Sequence, residues 1–342
     1  MTNHQIIFTA PGKAELLERP VVMPAPGMVL VRTAYSTISS GTERANLSGD
    51  NNISSERGTE NMVHPFPRSI GYSSSGIVCA VGEGVTSAKE GDRVAVSWGK
   101  HSRYQTIDQS NVHPIPAEIT MQDAAFSLIG TFPMAAIRKC RLEIGESAIV
   151  MGLGILGRLA VQLLRAAGAC PVIAADPVEE RRNLALSLGA DLVFDPFAPD
   201  FAEQVRRATG GGVKVAIEVT GQGKALDQVL DCTARFGRVG LLGCTRSSDF
   251  TIDYYRKVHG PGITLIGAHT NARPAHESSA GWWTTRDDIQ ALLRLVVGGR
   301  IRLADMVQDV RKPDEAGEVF GRLMVDPNFP LTQFDWGAEG IC

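Results

Sequence analysis

The sequence predicts an α/β protein in which a β-rich segment is followed by a doubly wound parallel sheet. Two observations carry this prediction. Before Met121, short β-branched runs are separated by Pro-Gly and Glu-Gly-Asp turn signals, as in barrel-like or partly open sheets. After Met121, apolar strand-like runs alternate with helical stretches, which is the pattern of parallel strands covered by helices on both faces.

The amino-acid composition and net charge limit the classes of function that the chain can have. The chain has 342 residues, of which 44% are hydrophobic and 21% charged, as in globular rather than disordered proteins. A formal net charge of −3 does not favour nucleic acid or an anionic membrane as a partner. No apolar run approaches the roughly 20 residues that span a bilayer, and the N-terminus lacks the pattern of a secretory signal.

The cysteines predict neither a zinc cluster nor a disulfide framework, because no two of them have C-x-x-C spacing. We expect buried free thiols in a reducing cytoplasm. The six residues are Cys79, Cys140, Cys170, Cys232, Cys244 and Cys342.

The β-rich segment contains short strand candidates followed or separated by turn signals. These strands are Gln5–Ala10, Val29–Ser36, Gly76–Val81 and Arg93–Ser97. The polar stretch Asn46–Pro67 has no periodic pattern and is predicted to be a long surface loop.

The second segment supplies the parallel sheet, and ligands are expected at the carboxyl ends of its strands. The predicted strands are Ala148–Met151, Val172–Ala175, Leu192–Phe194, Val215–Val219, Val239–Leu242 and Ile263–Ile266. Helices are predicted at Arg158–Ala167, Glu179–Leu188, Arg286–Val297 and Glu315–Leu323, with a last strand at Leu331–Trp336.

A dinucleotide fingerprint lies between the first of these strands and the helix that follows. Gly152-Leu-Gly-Ile-Leu-Gly157 matches G-x-G-x-x-G, and Asp176 ends the next strand, 24 residues after Gly152. Gly152 permits the turn, Gly154 lets the backbone approach a pyrophosphate, and Gly157 lets helix and strand pack closely. The alternative is a glycine-rich turn that binds no ligand.

The acid at the end of the second strand favours NAD(H) over NADP(H). Asp176 can accept hydrogen bonds from ribose hydroxyls and would repel a 2′-phosphate. Arg181 and Arg182 weaken this preference, because a nearby guanidinium can hold that phosphate.

Five further motifs occur in a specific order. They are Ile38-Ser-Ser-Gly-Thr-Glu43, Gly71-Tyr-Ser-Ser-Ser-Gly76, Val81-Gly-Glu-Gly-Val85, Gly91-Asp-Arg-Val94 and Gly145. With the glycine loop, they resemble the medium-chain dehydrogenase/reductase superfamily, also called zinc alcohol dehydrogenase-like, over nearly the whole chain. The resemblance implies a GroES-like catalytic domain (1–122), a Rossmann domain (123–266) and a return to the catalytic domain (267–342). It also implies a catalytic cleft between the domains and a homodimer.

The chain departs from the zinc-containing members of that superfamily. They carry Cys where this chain has Ser40, His where it has Tyr72, and Cys or an acid near Ser127. Neutral hydroxyls and phenols bind zinc poorly, and no cysteine lobe occurs around Ser97–Ser102. We therefore expect no zinc. The Ser-Gly-Thr-Glu run, Trp282-Trp283 and Arg286-Asp287 are similar to a zinc-free branch that includes bacteriochlorophyllide dehydrogenases, from which no substrate is inferred.

The resemblance also implies site residues. Tyr72, Thr42 and His101 are candidate catalytic groups, as oxyanion donor, proton relay and acid/base. Alternatively, Tyr72 fills the vacated metal position and bonds Ser40, Thr42 serves a turn or contacts the cofactor, and His101 is a solvated loop residue. Ser40, Ser127, Trp282 and Trp283 are candidate pocket residues, the tryptophans with core or interdomain packing as the alternative. Expected cofactor contacts are Gly152, Gly154, Ile155, Leu156, Gly157, Asp176, Arg181, Thr131, Val219, Leu242, Ala268 and His269.

The predicted function is zinc-independent, NAD(H)-dependent interconversion of a secondary alcohol and a ketone, with a small molecule as the only partner besides a second copy. The alternative is an NAD(P)H-dependent reductase of an activated C=C bond or a quinone. A dinucleotide-binding protein without catalysis is the third possibility.

Overall fold

Two compact units make up the chain. The computed structural model describes residues 2–59, 62–248 and 250–337, so Cys342 and two residues of the predicted loop lie outside it. The first unit comprises Met1–Ile129 and Leu303–Cys342, and the second comprises Gly130–Arg302. The α/β class expected from the sequence is confirmed.

Strands outnumber helices in the first unit and alternate with helices in the second. In chain order they are β1 (Thr2–Ala10), β2 (Lys13–Pro20), β3 (Met28–Thr37), β4 (Arg68–Ser69), β5 (Ser73–Val81), β6 (Arg93–Ser97), β7 (Tyr104–Asp108), β8 (Val112–Pro114), β9 (Ala148–Met151), β10 (Val172–Ala175), β11 (Leu192–Phe194), β12 (Val213–Glu218), β13 (Thr233–Leu241), β14 (Thr264–Gly267), β15 (Asp309–Arg311) and β16 (Thr332–Asp335).

The α-helices are α1 (Ser40–Ser48), α2 (Met121–Ala124), α3 (Ser127–Lys139), α4 (Ile155–Ala166), α5 (Glu179–Ser187), α6 (Phe201–Thr209), α7 (Gly223–Cys232), α8 (Thr285–Val297) and α9 (Ala316–Val325). The loop predicted for 46–67 thus begins after α1, whose last turn includes Asn46.

The first unit contains two sheets and an aromatic core. A seven-stranded sheet runs in the order β15-β16-β3-β5-β6-β8, with β7 also paired to β3, and a three-stranded sheet runs β2-β1-β4. Phe8, Phe334 and Phe320 of α9 are fully buried in one cluster, to which α1 contributes Leu47. This core is where both ends of the chain meet, because Phe8 comes from β1 and Phe334 from β16.

The second unit is a doubly wound parallel sheet. Its order is β11-β10-β9-β12-β13-β14, and every pairing along it is parallel. The chain moves outward from β9 to β11 and then returns to the other side of β9 at β12. The strand order therefore reverses between β9 and β12, and ligands of such sheets bind at the carboxyl ends of the strands there.

Residues 267–302 fall in the second unit, not in the return segment expected from the sequence. Three contacts hold them there. Arg138 Nε donates to Asp288 Oδ1 at 2.9 Å, and the Arg302 N–H donates to Gln162 Oε1 at 2.8 Å. Leu292 covers Gly130 so closely that a Cβ on the glycine would lie 2.4 Å from it. Helix α8 is thus part of the core of this unit.

The cysteines only partly follow the expectation of buried free thiols. Cys140 and Cys232 are free and buried, whereas Cys170 and Cys244 are free and exposed. Cys79 is disulfide-bonded, so the expectation is wrong for that residue. Among the described helices, none is both long and apolar enough to cross a membrane.

Candidate active site and cofactor site

The glycine loop connects β9 to α4 at the reversal of strand order. Gly152 has a φ of +96°, which favours glycine, and a Cβ there would lie 2.7 Å from the Thr220 side chain. A Cβ on Gly157 would lie 1.9 Å from the Gly152 carbonyl oxygen, so no side chain fits. Gly154 is the N-cap residue of α4, and a Cβ added to it would meet no neighbouring group within 4 Å. This leaves open space over the helix N-terminus, where a pyrophosphate fits.

Asp176 directly follows β10 and faces this loop. Its Oδ2 accepts the Leu153 N–H at 2.8 Å and its Oδ1 accepts the Val178 N–H at 2.9 Å. The guanidinium of Arg181 lies 3.7 Å from Oδ2. The carboxylate is only 3% exposed, yet each oxygen keeps a lone pair for a further donor such as a ribose hydroxyl.

Arg158 is a buried cation next to the same carboxylate, and the sequence analysis missed it. Its Nε donates to the Leu153 carbonyl at 3.1 Å, so Leu153 is held by Asp176 on one side and Arg158 on the other. Burial, with the neighbouring Arg181, lowers the pKa of Arg158 to about 10. An arginine among the mainly apolar residues of α4 was the available signal.

The ends of β12, β13 and β14 carry the residues expected near the nicotinamide. The Leu242 N–H donates to the Glu218 carbonyl at 2.9 Å, and the Ala268 N–H donates to the Leu241 carbonyl at 3.0 Å. Val219 follows β12 directly, and its N–H donates to the Met151 carbonyl at 3.0 Å. These backbone segments therefore lie side by side at the carboxyl edge of the sheet.

Glu218 shapes the turn that follows β12. Its Oε1 accepts the Thr220 N–H at 2.7 Å, and its carboxylate also accepts the Gly221 N–H. Burial raises the pKa of Glu218, although these hydrogen bonds oppose the shift. The residue therefore supports the turn at the carboxyl edge of the sheet.

His269, Thr131 and the two tryptophans lie in one cationic region of the second unit. Arg273 Nη2 donates to the Thr131 carbonyl at 3.2 Å. Burial, with the nearby Lys139 ammonium, lowers the pKa of His269. Two cation–π pairs lie in the same region: Arg138 lies 3.6 Å from the Trp283 ring centroid, and Lys139 lies 4.9 Å from that of Trp282. Both tryptophans thus pack against cations of α3.

In the first unit, α1 begins at Ser40. By the resemblance, zinc-containing members carry a cysteine ligand at this position. Ser39 precedes the helix, and its N–H donates to Glu43 Oε1 at 3.0 Å. The side chain of Glu43 thereby satisfies a backbone donor at the start of α1, as in helix capping. Ser40 and Thr42 are half-buried in the first turn of this helix.

Tyr72 lies against this segment. Its hydroxyl donates to Ser39 Oγ at 2.5 Å, so the residue before Ser40 is a partner of the phenol. Its ring lies 5.9 Å from that of Trp98, a 44% exposed side chain whose φ of +59° is unusual for a residue other than glycine. The sequence analysis did not single out Trp98, although an aromatic residue directly after β6 was a signal for it.

His101 is inside the first unit. It has no exposed surface, and both ring nitrogens are engaged: Nδ1 with Ser36 Oγ at 2.7 Å and Nε2 with the Glu43 carboxylate at 3.1 and 3.2 Å. A solvated loop position is therefore wrong. Direct contact with a substrate, the role considered for it from the sequence, does not fit this burial either.

The side chains at the zinc-ligand positions do not fit a catalytic zinc. Ser40 and Ser127 offer neutral hydroxyls, and the phenol of Tyr72 is already bonded to Ser39. The Ser127 hydroxyl is buried and has no hydrogen-bond partner within the described ranges. No group of three His, Cys, Asp or Glu side chains suited to a metal occurs among residues 2–59, 62–248 and 250–337.

Comparison with known proteins identifies the family. The family description "Alcohol dehydrogenase GroES-like domain" matches residues 25–136, and "Zinc-binding dehydrogenase" matches residues 156–285. An alcohol dehydrogenase of Rhizobium meliloti is 31% identical over 96% of this chain and 100% of its own length. The chain belongs to the medium-chain dehydrogenase/reductase superfamily.

Further relatives of this dehydrogenase agree in fold. The L-threonine 3-dehydrogenase of Pyrococcus horikoshii is 30% identical, covering 77% of this chain and 81% of that one. The crystal structure of 2R,3R-butanediol dehydrogenase from Bacillus subtilis superposes with a TM-score of 0.80 at 23% identity, covering 97% and 99% of the two chains. The GroES-like and Rossmann architecture expected from the resemblance is confirmed.

Proposed function

We propose that this dehydrogenase interconverts a secondary alcohol and a ketone with NAD(H) and without a catalytic zinc. The observation that carries the proposal is the Tyr72 phenol, hydrogen-bonded to Ser39 in the segment where zinc-containing members keep their ligands. When bound, NAD(H) supplies or accepts the hydride. The names of the relatives, which include threonine and butanediol dehydrogenases, support a secondary alcohol as substrate.

The protein must then hold the substrate oxygen and move one proton. Hydroxyl hydrogens rotate, so the Ser39 hydroxyl can donate to Tyr72 Oη while Tyr72 donates to the substrate oxygen. A donor aimed at a developing oxyanion does there what a Lewis acid does in zinc members. Thr42 and Ser127 supply further hydroxyls, and Ser127 Oγ has no partner within the described residues. Thr42 is the proposed relay of the proton toward solvent.

The experiment is an activity screen on protein stripped of metal with a chelator. We expect NADH formation with a secondary alcohol from a panel containing L-threonine and 2,3-butanediol, at a zinc content well below one ion per chain. Loss of activity on stripping that returns with added zinc would overturn the metal-free proposal. Turnover of enones or quinones but of no alcohol or ketone would replace the proposed reaction with reduction of a C=C bond or quinone.

Asp176→Ala is expected to weaken NADH binding about 10- to 100-fold and NADPH binding less, because a charge-assisted hydrogen bond is lost. The carboxylate that repels a 2′-phosphate disappears, while the cations Arg158 and Arg181 remain beside the ribose position. Titrations of both nucleotides, followed by nicotinamide fluorescence, measure the two affinities. Glu180→Ala, in an exposed acid of α5, is the matched control. Equal losses for both nucleotides would contradict this role of Asp176.

We also propose a homodimer. Strand β14 is at one edge of the parallel sheet, where its one partner among the described strands is β13. An edge strand offers unpaired backbone groups to a second copy.

A further inference from the structure

A carboxylate and an imidazole form a buried pair in the first unit. Glu43 is 1% exposed and His101 is 0% exposed, and His101 Nε2 lies 3.1 Å from Glu43 Oε2. Removing such groups from water is costly unless every polar atom finds a partner. Packing alone therefore does not explain why a carboxylate and an imidazole are buried together here.

Every polar atom of the pair is satisfied. Trp336 Nε1 donates to Ser36 Oγ at 2.8 Å, which leaves the Ser36 hydroxyl proton for His101 Nδ1. The imidazole proton then lies on Nε2 and is donated to the Glu43 carboxylate.

The imidazole ring is also fixed by its neighbours. It lies edge-on to Phe334 at 5.5 Å and 6.3 Å from Phe320. On another side it touches Gly71, where a Cβ would lie 2.6 Å from His101 Cγ. These contacts fix the position of the ring, and the hydrogen bond from the ring fixes the Glu43 carboxylate.

The pair is linked to Tyr72 from two directions. Glu43 Oε1 accepts the Ser39 N–H at 3.0 Å, and the Glu43 N–H donates to the Ser39 carbonyl at 2.9 Å, so Ser39 is held at both ends of its backbone. Its hydroxyl is the partner of Tyr72. The His101 N–H donates at 2.8 Å to the carbonyl of Ile70, two residues before Tyr72.

We propose that Glu43 and His101 are positioning residues that hold Ser39 and thereby aim the Tyr72 hydroxyl at the substrate oxygen. This inference rests on the proposed function, in which Tyr72 is the donor. In zinc-containing members a metal fixes the ligand-bearing segments. Here the buried pair fixes two of those segments, the start of α1 and the stretch before β5.

Glu43→Gln tests the proposal, because the amide group keeps the size of the side chain but turns a donor toward His101 Nε2–H. We expect kcat to fall about 10-fold through misplacement of the Tyr72 hydroxyl, with the KM for NAD unchanged. In a Tyr72→Phe background the same substitution should change kcat by less than about twofold, because no hydroxyl remains to be positioned. Glu18→Gln is the control, since Glu18 pairs with His4 on the surface at 3.6 Å.

A second measurement needs no turnover. The protein is labelled with ¹³C at tyrosine Cζ, and the Tyr72 resonance is assigned by its loss in Tyr72→Phe. This resonance should shift in Glu43→Gln and in Ser39→Ala but not in Glu18→Gln.

Ser39→Ala keeps both backbone bonds to Glu43 and serves if Glu43→Gln does not fold. An unshifted resonance in the folded variants, or losses in kcat that multiply in the double variant, would overturn the proposal. Wild-type kcat in Tyr72→Phe alone would instead overturn the proposed function, while the resonance would still report the link to Glu43.

Discussion

Tyr72→Phe is expected to lower kcat about 10²- to 10³-fold, the usual cost of removing one donor to a developing oxyanion. The substitution removes only the hydroxyl that meets Ser39 Oγ at 2.5 Å and keeps the ring beside Trp98. Because the proposed partner of the Tyr72 hydroxyl is the substrate oxygen and not the nucleotide, NADH affinity should stay unchanged. Turnover of the alcohol found in the screen and a fluorescence titration with NADH measure the two quantities.

The control for this variant is Tyr254→Phe, which removes a hydroxyl from a 63% exposed tyrosine of the second unit and should leave kcat unchanged. A Tyr72→Phe enzyme with more than about a tenth of wild-type kcat would contradict a donor role of that size. The phenol would then only fill the position that a metal ligand takes in other members, which is the alternative raised by the sequence.

The parallel sheet could be predicted from the sequence because its signals are local. Ala148–Met151 and Val172–Ala175 are continuous apolar runs buried on both faces, and their predicted bounds match β9 and β10. Helix α6 was not predicted, because only Phe201 and Val205 of its nine residues are buried and the others are polar or alanine. Strand β2 was missed for the same reason: of its eight residues only Ala14 is buried.

The glycine loop and Asp176 were predictable because a turn and the end of the next strand are set by spacing along the chain. The buried pair of the first unit was not. Glu43 and His101 are 58 residues apart and meet only through the fold. From the sequence, His101 was a candidate acid/base or a solvated loop residue, and no local pattern connected it with Glu43.

The largest effect expected in the second unit comes from Gly157→Ala. The added Cβ would lie 1.9 Å from the Gly152 carbonyl oxygen, which is backbone and cannot rotate away. Helix α4 would have to move off β9, at a cost of about 3 kcal/mol in the free energy of unfolding. For a domain of this size that lowers Tm by roughly 6–12 °C. Thermal unfolding without nucleotide measures it directly.

Gly154→Ala is the matched substitution in the same loop, and it separates folding from binding. Gly154 has a φ of −68°, which alanine adopts, and nothing lies within 4 Å of its Cβ position. We therefore expect an unchanged Tm without nucleotide. The open space is the proposed position of the pyrophosphate, so the methyl group should weaken NADH binding about 10-fold or more. Wild-type NADH affinity in Gly154→Ala would place the pyrophosphate elsewhere, whereas a wild-type Tm in Gly157→Ala would show that helix and loop can separate freely.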